Sequence, residues 1–158
     1  MEKVAIEDVE NEQNPMKVHS VRKPISRELG TEEFAMNYFE LEVGESFSGG
    51  LHTHEDQEEV FYVESGIATF EVTKEREEVQ VADGELIRFP PGEFQKGYND
   101  GEDTVVGWAL GAPGAMHDWD ELYSLAYCPE CEEETKQNVR LGAGSFELTC
   151  TECGNTQG

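Results

Sequence analysis

Two segments in the middle of this chain constrain its fold more than any other feature. The first is His52-Thr53-His54, then four residues, Glu59, six residues and Gly66. The second is Gly84, five residues, Pro90-Pro91-Gly92, two residues, Gln95, three residues and Asn99. Side chains alternate along an extended strand, so histidines at i and i+2 share a face. Glu59 opens the next apolar run, Val60-Phe61-Tyr62-Val63, and alternates with Phe61 and Val63. That phase turns Glu59 inward and favours it over Glu58 as a ligand. Two imidazoles and a carboxylate are the donor set of the facial triad that binds Fe(II), and Zn or Mn can also use it. A lone His-x-His in so acidic a loop would read as surface; the full spacing points to a strand-borne metal site on His52, His54 and Glu59.

The flanking sequence reads as a succession of short strands. Ala35 to Val43 alternates cleanly, with Phe39 and Leu41 on one face and Glu40 and Glu42 on the other. Glu59 to Ser65 is apolar on both faces and predicts a central strand, with Ile67 to Thr73 returning after Gly66 as a hairpin. Val79 to Ala82, Glu85 to Phe89, Phe94 to Tyr98 and Thr104 to Leu110 follow, punctuated by Pro90-Pro91-Gly92 and Asn99-Asp100-Gly101. Such a series predicts an antiparallel sandwich or closed barrel. Residues 1–30 read as a polar, extended lead-in with an edge strand around Lys17 to Val21. Asp118 to Tyr123 reads as a helical turn or two.

These residues resemble the cupin family over roughly Ala35 to Leu110, about half the chain. The His-x-His, Glu59 and Gly66 fit the family's first motif, although its leading glycine has no well-placed counterpart. Gly84, Pro90, Gly92 and Asn99 fit the second, in which Gln95 stands where the family has a histidine. The resemblance implies an all-β, cupin-type antiparallel jelly-roll barrel with a divalent ion (Fe, Mn, Ni or Zn). Gln95 has three readings. As a ligand through its neutral amide oxygen it favours Mn or Zn. As a non-ligand it leaves three open octahedral positions, which suit Fe(II) with oxygen or a chelating substrate. As an outer-shell residue it hydrogen-bonds a bound water or ligand. His117 and His19 are further imidazoles that could complete the site from outside the motif.

Cys128-Pro129-Glu130-Cys131 and Cys150-Thr151-Glu152-Cys153 are CxxC pairs separated by eighteen residues. This is the spacing of a zinc ribbon, in which two tight turns direct four thiolates at one Zn ion. Lys136 to Leu141 and Ser145 to Thr149 read as its strands, joined by Gly142-Ala143-Gly144. Two disulfides are the alternative, and the absence of a secretory-type start favours zinc in a reducing, cytoplasmic setting. Four thiolates leave no open position, so this zinc is expected to be structural. The expected organisation is a lead-in over 1–30, a barrel over 31–114, a linker or short helix over 115–127 and a zinc ribbon over 128–158.

Thirty-five acidic against eleven basic residues give a net charge of −24. No Lys/Arg cluster is present to meet phosphates, which excludes nucleic acid and anionic membrane as expected partners. No apolar stretch is long enough to span a bilayer. A folded chain this acidic repels itself at low salt, a balance linked to halophiles. A melt no more stable in molar KCl than at about 0.1 M would refute that reading, since the screening length falls from about 10 Å to about 3 Å between them.

Two functions fit. One is a metal-dependent enzyme on a small oxygen-rich molecule, by dioxygenation, decarboxylation or isomerisation; no separate nucleophile or acid–base pair stands out. The other is a non-catalytic binding or sensing cupin that contacts a protein partner through its ribbon. Barrels of this kind often pair through edge strands, so a homodimer is also expected.

Overall fold

In a computed structural model that describes residues 1–142 and 144–158, the alternating segments form antiparallel strands. They are β1 (Val21–Lys23), β2 (Ala35–Leu41), β3 (His52–His54), β4 (Glu58–Ser65), β5 (Ile67–Val72), β6 (Glu77–Ala82) and β7 (Leu86–Phe89). Then come β8 (Gln95–Tyr98), β9 (Val105–Ala112), β10 (Leu122–Cys128), β11 (Glu133–Leu141), β12 (Phe146–Cys150) and β13 (Thr156–Gln157). One sheet has the order β1-β2-β9-β4-β7 and the other β13-β12-β11-β10-β3-β8-β5-β6. The fold is an all-β jelly roll with a C-terminal cysteine cluster.

The inward faces of the two sheets enclose one aromatic core. Phe39, Phe47, Phe61, Phe70 and Phe89 are buried there with Leu41, Val63, Val72, Val81 and Val105. The Phe47 ring lies 5.1 Å from Phe39, 5.2 Å from Phe61 and 5.9 Å from Phe70, centroid to centroid. This packing needs a glycine beneath it: a Cβ at Gly97 would stand 2.4 Å from the Phe70 ring and 2.8 Å from Phe47.

Four sequence expectations are corrected. Glu59–Ser65 and Ile67–Thr73 do not make a hairpin. β4 pairs with β7 and β9, whereas β5 pairs with β6 and β8 across the barrel. Gly66 turns the corner between sheets with φ of +84°, and a Cβ there would meet the Thr104 carbonyl at 2.8 Å. A corner and a hairpin share turn chemistry, so local sequence does not separate them. The helical reading of Asp118–Tyr123 is cut short: a single turn closes from the Glu121 amide to the Asp118 carbonyl, and Leu122 and Tyr123 already belong to the strand β10, which finds partners on both sides, in β3 and β11. β2 ends at Leu41, and Val43 is exposed. The lead-in is more structured than an extended segment. It contains a 3-10 turn at Ile6–Asp8, places its edge strand at Val21–Lys23, and has a helix, α1 (Ile25–Leu29), closed by a left-handed Gly30. Val9, His19 and Ile25 are buried, which anchors that segment on the barrel.

The expected ribbon strands form as β11 and β12, with longer and slightly shifted ends; Ala143 of the joining turn lies outside the described residues. β10 bonds to β3 on one edge and β11 on the other. The sheet therefore runs without a break from the strand that carries both motif histidines to the strands that carry the cysteines.

Candidate functional site

His52 and His54 both point inward from β3, as the alternation requires, and Glu59 reaches them from β4 in the opposite sheet. Their side chains are 15%, 8% and 19% exposed, so the site is sheltered from bulk solvent. His52 Nε2 lies 3.8 Å from one Glu59 carboxylate oxygen, and His54 Nε2 lies 3.6 Å from the other. One donor atom from each of the three residues falls within 4.8 Å of the others, a spacing suited to one divalent ion. Glu58 points outward and accepts a hydrogen bond from Arg88.

Hydrogen bonding prepares the donors. His52 Nδ1 lies 3.0 Å from the Gly50 carbonyl oxygen, an acceptor only, so Nδ1 carries the proton and Nε2 keeps its lone pair. Burial, reinforced by His52 and His117, holds the His54 pKa down to about 3, which keeps its imidazole neutral. Burial raises the Glu59 pKa, opposed by His52 and by the Gln95 hydrogen bond. A cation at that point would reverse the burial cost.

Gln95 sits directly opposite His52 in the β3–β8 pair. Its amide nitrogen donates to Glu59 at 2.6 Å and stands 3.2 Å from His52 Nε2. This is the arrangement of a residue that orients ligands. Its Oε1 and His54 Nδ1 are buried without a hydrogen-bond partner in the chain.

The other imidazoles separate. His19 belongs to the core, with Nδ1 3.1 Å from the Ser46 carbonyl and its ring edge-on to Phe39. His117 instead comes to the barrel mouth, its ring 5.2 Å from that of His54. The sequence reading missed what holds it. Gln57, between His54 and Glu59, donates to the carbonyls of Pro113, Gly114 and Met116, and Trp119 packs on the His117 ring at 4.6 Å. No local spacing signals a contact between residues 57 and 116.

The four cysteines form the second cluster, and one Sγ from each falls within 4.8 Å of the rest. Cys128 and Cys153 are 3.6 Å apart and Cys131 and Cys150 3.9 Å, sulfur to sulfur. A tetrahedron with metal–sulfur bonds of ~2.3 Å has edges of roughly 3.8 Å, so the cluster fits one ion. Disulfides would need about 2.05 Å, and all four cysteines are free. A hydrogen bond from the Thr135 hydroxyl, 3.2 Å away, is the largest influence lowering the Cys150 thiol to about 6. Gly154 has the expected positive φ, +76°. The segment's two basic residues are engaged within the chain: Lys136 with Glu55 at 2.5 Å and Arg140 with Asp120.

Fold and motif together define the class of protein. Residues 37–109 match the cupin domain family, and they form a cupin domain in this chain, followed by a CxxC…CxxC module. The chain is similar in structure to a sugar phosphate isomerase of the cupin superfamily from Silicibacter pomeroyi, with a TM-score of 0.72 and 18% identity over 97% of this chain and 95% of that one. A protein described as a candidate sugar phosphate isomerase from Acidithiobacillus ferrooxidans aligns with a TM-score of 0.59 and 22% identity, over 84% of this chain and 77% of that one. A Cupin 2 conserved barrel domain protein from Salinispora arenicola aligns at 0.53 and 14%, over 71% and 87%. None of the curated proteins matches the chain. Among the described residues, no helix is long and apolar enough to cross a membrane.

Proposed function

We propose that this cupin holds one divalent ion on His52, His54 and Glu59 and presents it to a small, oxygen-rich molecule at the barrel mouth. The convergence of two imidazoles and a carboxylate within 4.8 Å carries this reading. A bound ion would supply Lewis acidity to a chelated carbonyl or enediol. The chain's own residues do the rest. The Gly50 carbonyl fixes the His52 tautomer, burial keeps His54 neutral, and Gln95 orients Glu59. Isomerisation of a sugar-like substrate leads the three reaction types because two neighbours in fold carry that name; decarboxylation and dioxygenation follow. Zinc in the cysteine cluster is structural in this reading, for four thiolates leave no position for substrate.

A second reading is a non-catalytic binding or sensing cupin whose ribbon docks a protein partner. Gln95 favours it, since the residue in place of the motif's last histidine is bonded to two of the ligands. Elemental mass spectrometry of untagged protein, purified without chelator, separates the two. One zinc plus a second ion (Fe, Mn, Ni or Zn), with the second lost in His52→Ala, supports the metal-dependent reading. One zinc alone removes it and leaves the binding module.

A further inference from the structure

We propose that His117 supplies a further nitrogen donor to the ion held by His52, His54 and Glu59, from a loop outside both motif segments. The proposal rests on the barrel metal reading above. Four observations carry it.

The first is position. The His117 ring lies 5.2 Å from the His54 ring at a tilt of 53°. The second is an unmet need: His117 Nε2 is buried and has no hydrogen-bond partner. Buried polar atoms in folded proteins are nearly always partnered, so such an atom beside a metal-ligand set calls for a bound group.

The third is the way the loop is held. Gln57 Nε2 donates to the carbonyls of Pro113 at 2.6 Å, Gly114 at 3.1 Å and Met116 at 3.3 Å. The Asp118 amide donates to Asp56 at 3.1 Å, while the Gly114 and Ala115 amides donate to the carbonyls of Glu33 and Glu32. Asp56 and Gln57 lie between His54 and Glu59 in the chain, so the segment that carries two ligands also anchors the loop that carries His117. Trp119 also packs against the ring, 4.6 Å away and nearly perpendicular to it.

The fourth is the state of the alternatives. His19 Nδ1 and its ring are turned to Ser46 and Phe39, away from the site, whereas Gln95 donates through its amide nitrogen to Glu59 and stands beside His52, with its Oε1 buried and unpartnered. The His117 donor lies outside the set already within 4.8 Å of one another. Ligation therefore draws its ring inward, and metal binding and loop position become linked.

Mn(II) is the probe of choice, because imidazole and carboxylate can hold it while thiolates prefer zinc. The full chain, its ribbon zinc retained, is titrated with Mn(II) and followed by electron paramagnetic resonance. Pulsed measurements on protein with 15N-labelled histidine then count the coordinated nitrogens. Three histidine nitrogens in the wild type, two in His117→Ala, and a Kd at least about 10-fold weaker in the variant are expected. Two nitrogens in the wild type itself overturn the proposal, whether or not the variant folds. Unchanged affinity in a folded His117→Ala overturns it as well. A wild-type protein that binds no Mn(II) and purifies with no second ion instead removes the barrel metal reading, and this proposal with it.

Discussion

The barrel cluster and the cysteine cluster are joined through the sheet that carries His52 and His54 but are built in opposite ways. His52, His54 and Glu59 come from facing sheets, and their convergence is set by an aromatic core beneath them that owes nothing to an ion. The cysteines sit in two tight turns above almost no apolar core. Between residues 128 and 158, the buried residues are Cys128, Cys150, Thr135, Gln137 and Val139, with one aliphatic side chain among the described residues. The first site stands on an apolar core; the second has almost none beneath it. A segment of about thirty residues buries little surface alone, and in small zinc domains a structural metal supplies the missing free energy.

The sharpest way to break this contrast is Cys128→Ser. Structural zinc contributes on the order of 10–16 kcal/mol in small zinc domains. Amides of β11 to β13 should lose protection in hydrogen exchange, while β2, β4 and β9 keep theirs. If the C-terminal strands stay protected, pairing with β10 and β3 is enough to hold them and the contrast collapses. The mirror experiment is Phe70→Ala. Phe70 is fully buried at the centre of the core, and its truncation should cost about 3–5 kcal/mol of barrel stability while the ribbon keeps its ion. Coincident loss of zinc would show that the two regions unfold as one.

Glu59→Gln tests the claim that the barrel site is pre-formed, with a smaller effect. Burial raises the Glu59 pKa in the folded, metal-free protein above its ordinary value of 4.5. The associated stability is fully present below about pH 4.5 and is lost as pH rises through the higher folded value. Metal-free wild type should therefore lose stability from the acid side toward neutrality, and Glu59→Gln should flatten that slope while abolishing metal uptake. Chemical melts across pH 4 to 8 measure it; identical slopes would show that Glu59 carries no burial cost.

Least in size is the link between the regions. Lys136 on β11 bonds Glu55, next to His54, and lies over the Tyr123 ring at 4.0 Å. The pair is about one-third exposed, so Lys136→Met should cost only about 0.5 kcal/mol. A larger loss, or weaker barrel metal binding, would make this contact a coupling between the clusters.

The two clusters also differ in how far they can be read without coordinates. The cysteines were legible outright, because a CxxC turn is a local structure and its spacing fixes where both sulfurs point. The inward phase of His52, His54 and Glu59 was legible for a similar reason, since period-two alternation is local to each strand. The switch of sheet at Gly66 was not, because a corner and a hairpin both need the same glycine. The strand Leu122–Cys128 was read as helix in part, since its extended form is selected by edges on β3 and β11 that lie some seventy residues back and ten ahead.

From the chain alone come the donor types, their phase on each strand, the four-thiolate module and the all-β character. All of these follow from neighbours within a few residues, where backbone periodicity and turn chemistry decide. Tertiary structure alone decided that Gln95 bonds Glu59, that Gln57 pins the loop before His117, and that His117 rather than His19 reaches the barrel mouth. Those choices depend on which strands face one another across the core. That pairing is settled by the burial of Phe39, Phe47, Phe61, Phe70 and Phe89 together, a collective property that no single segment carries.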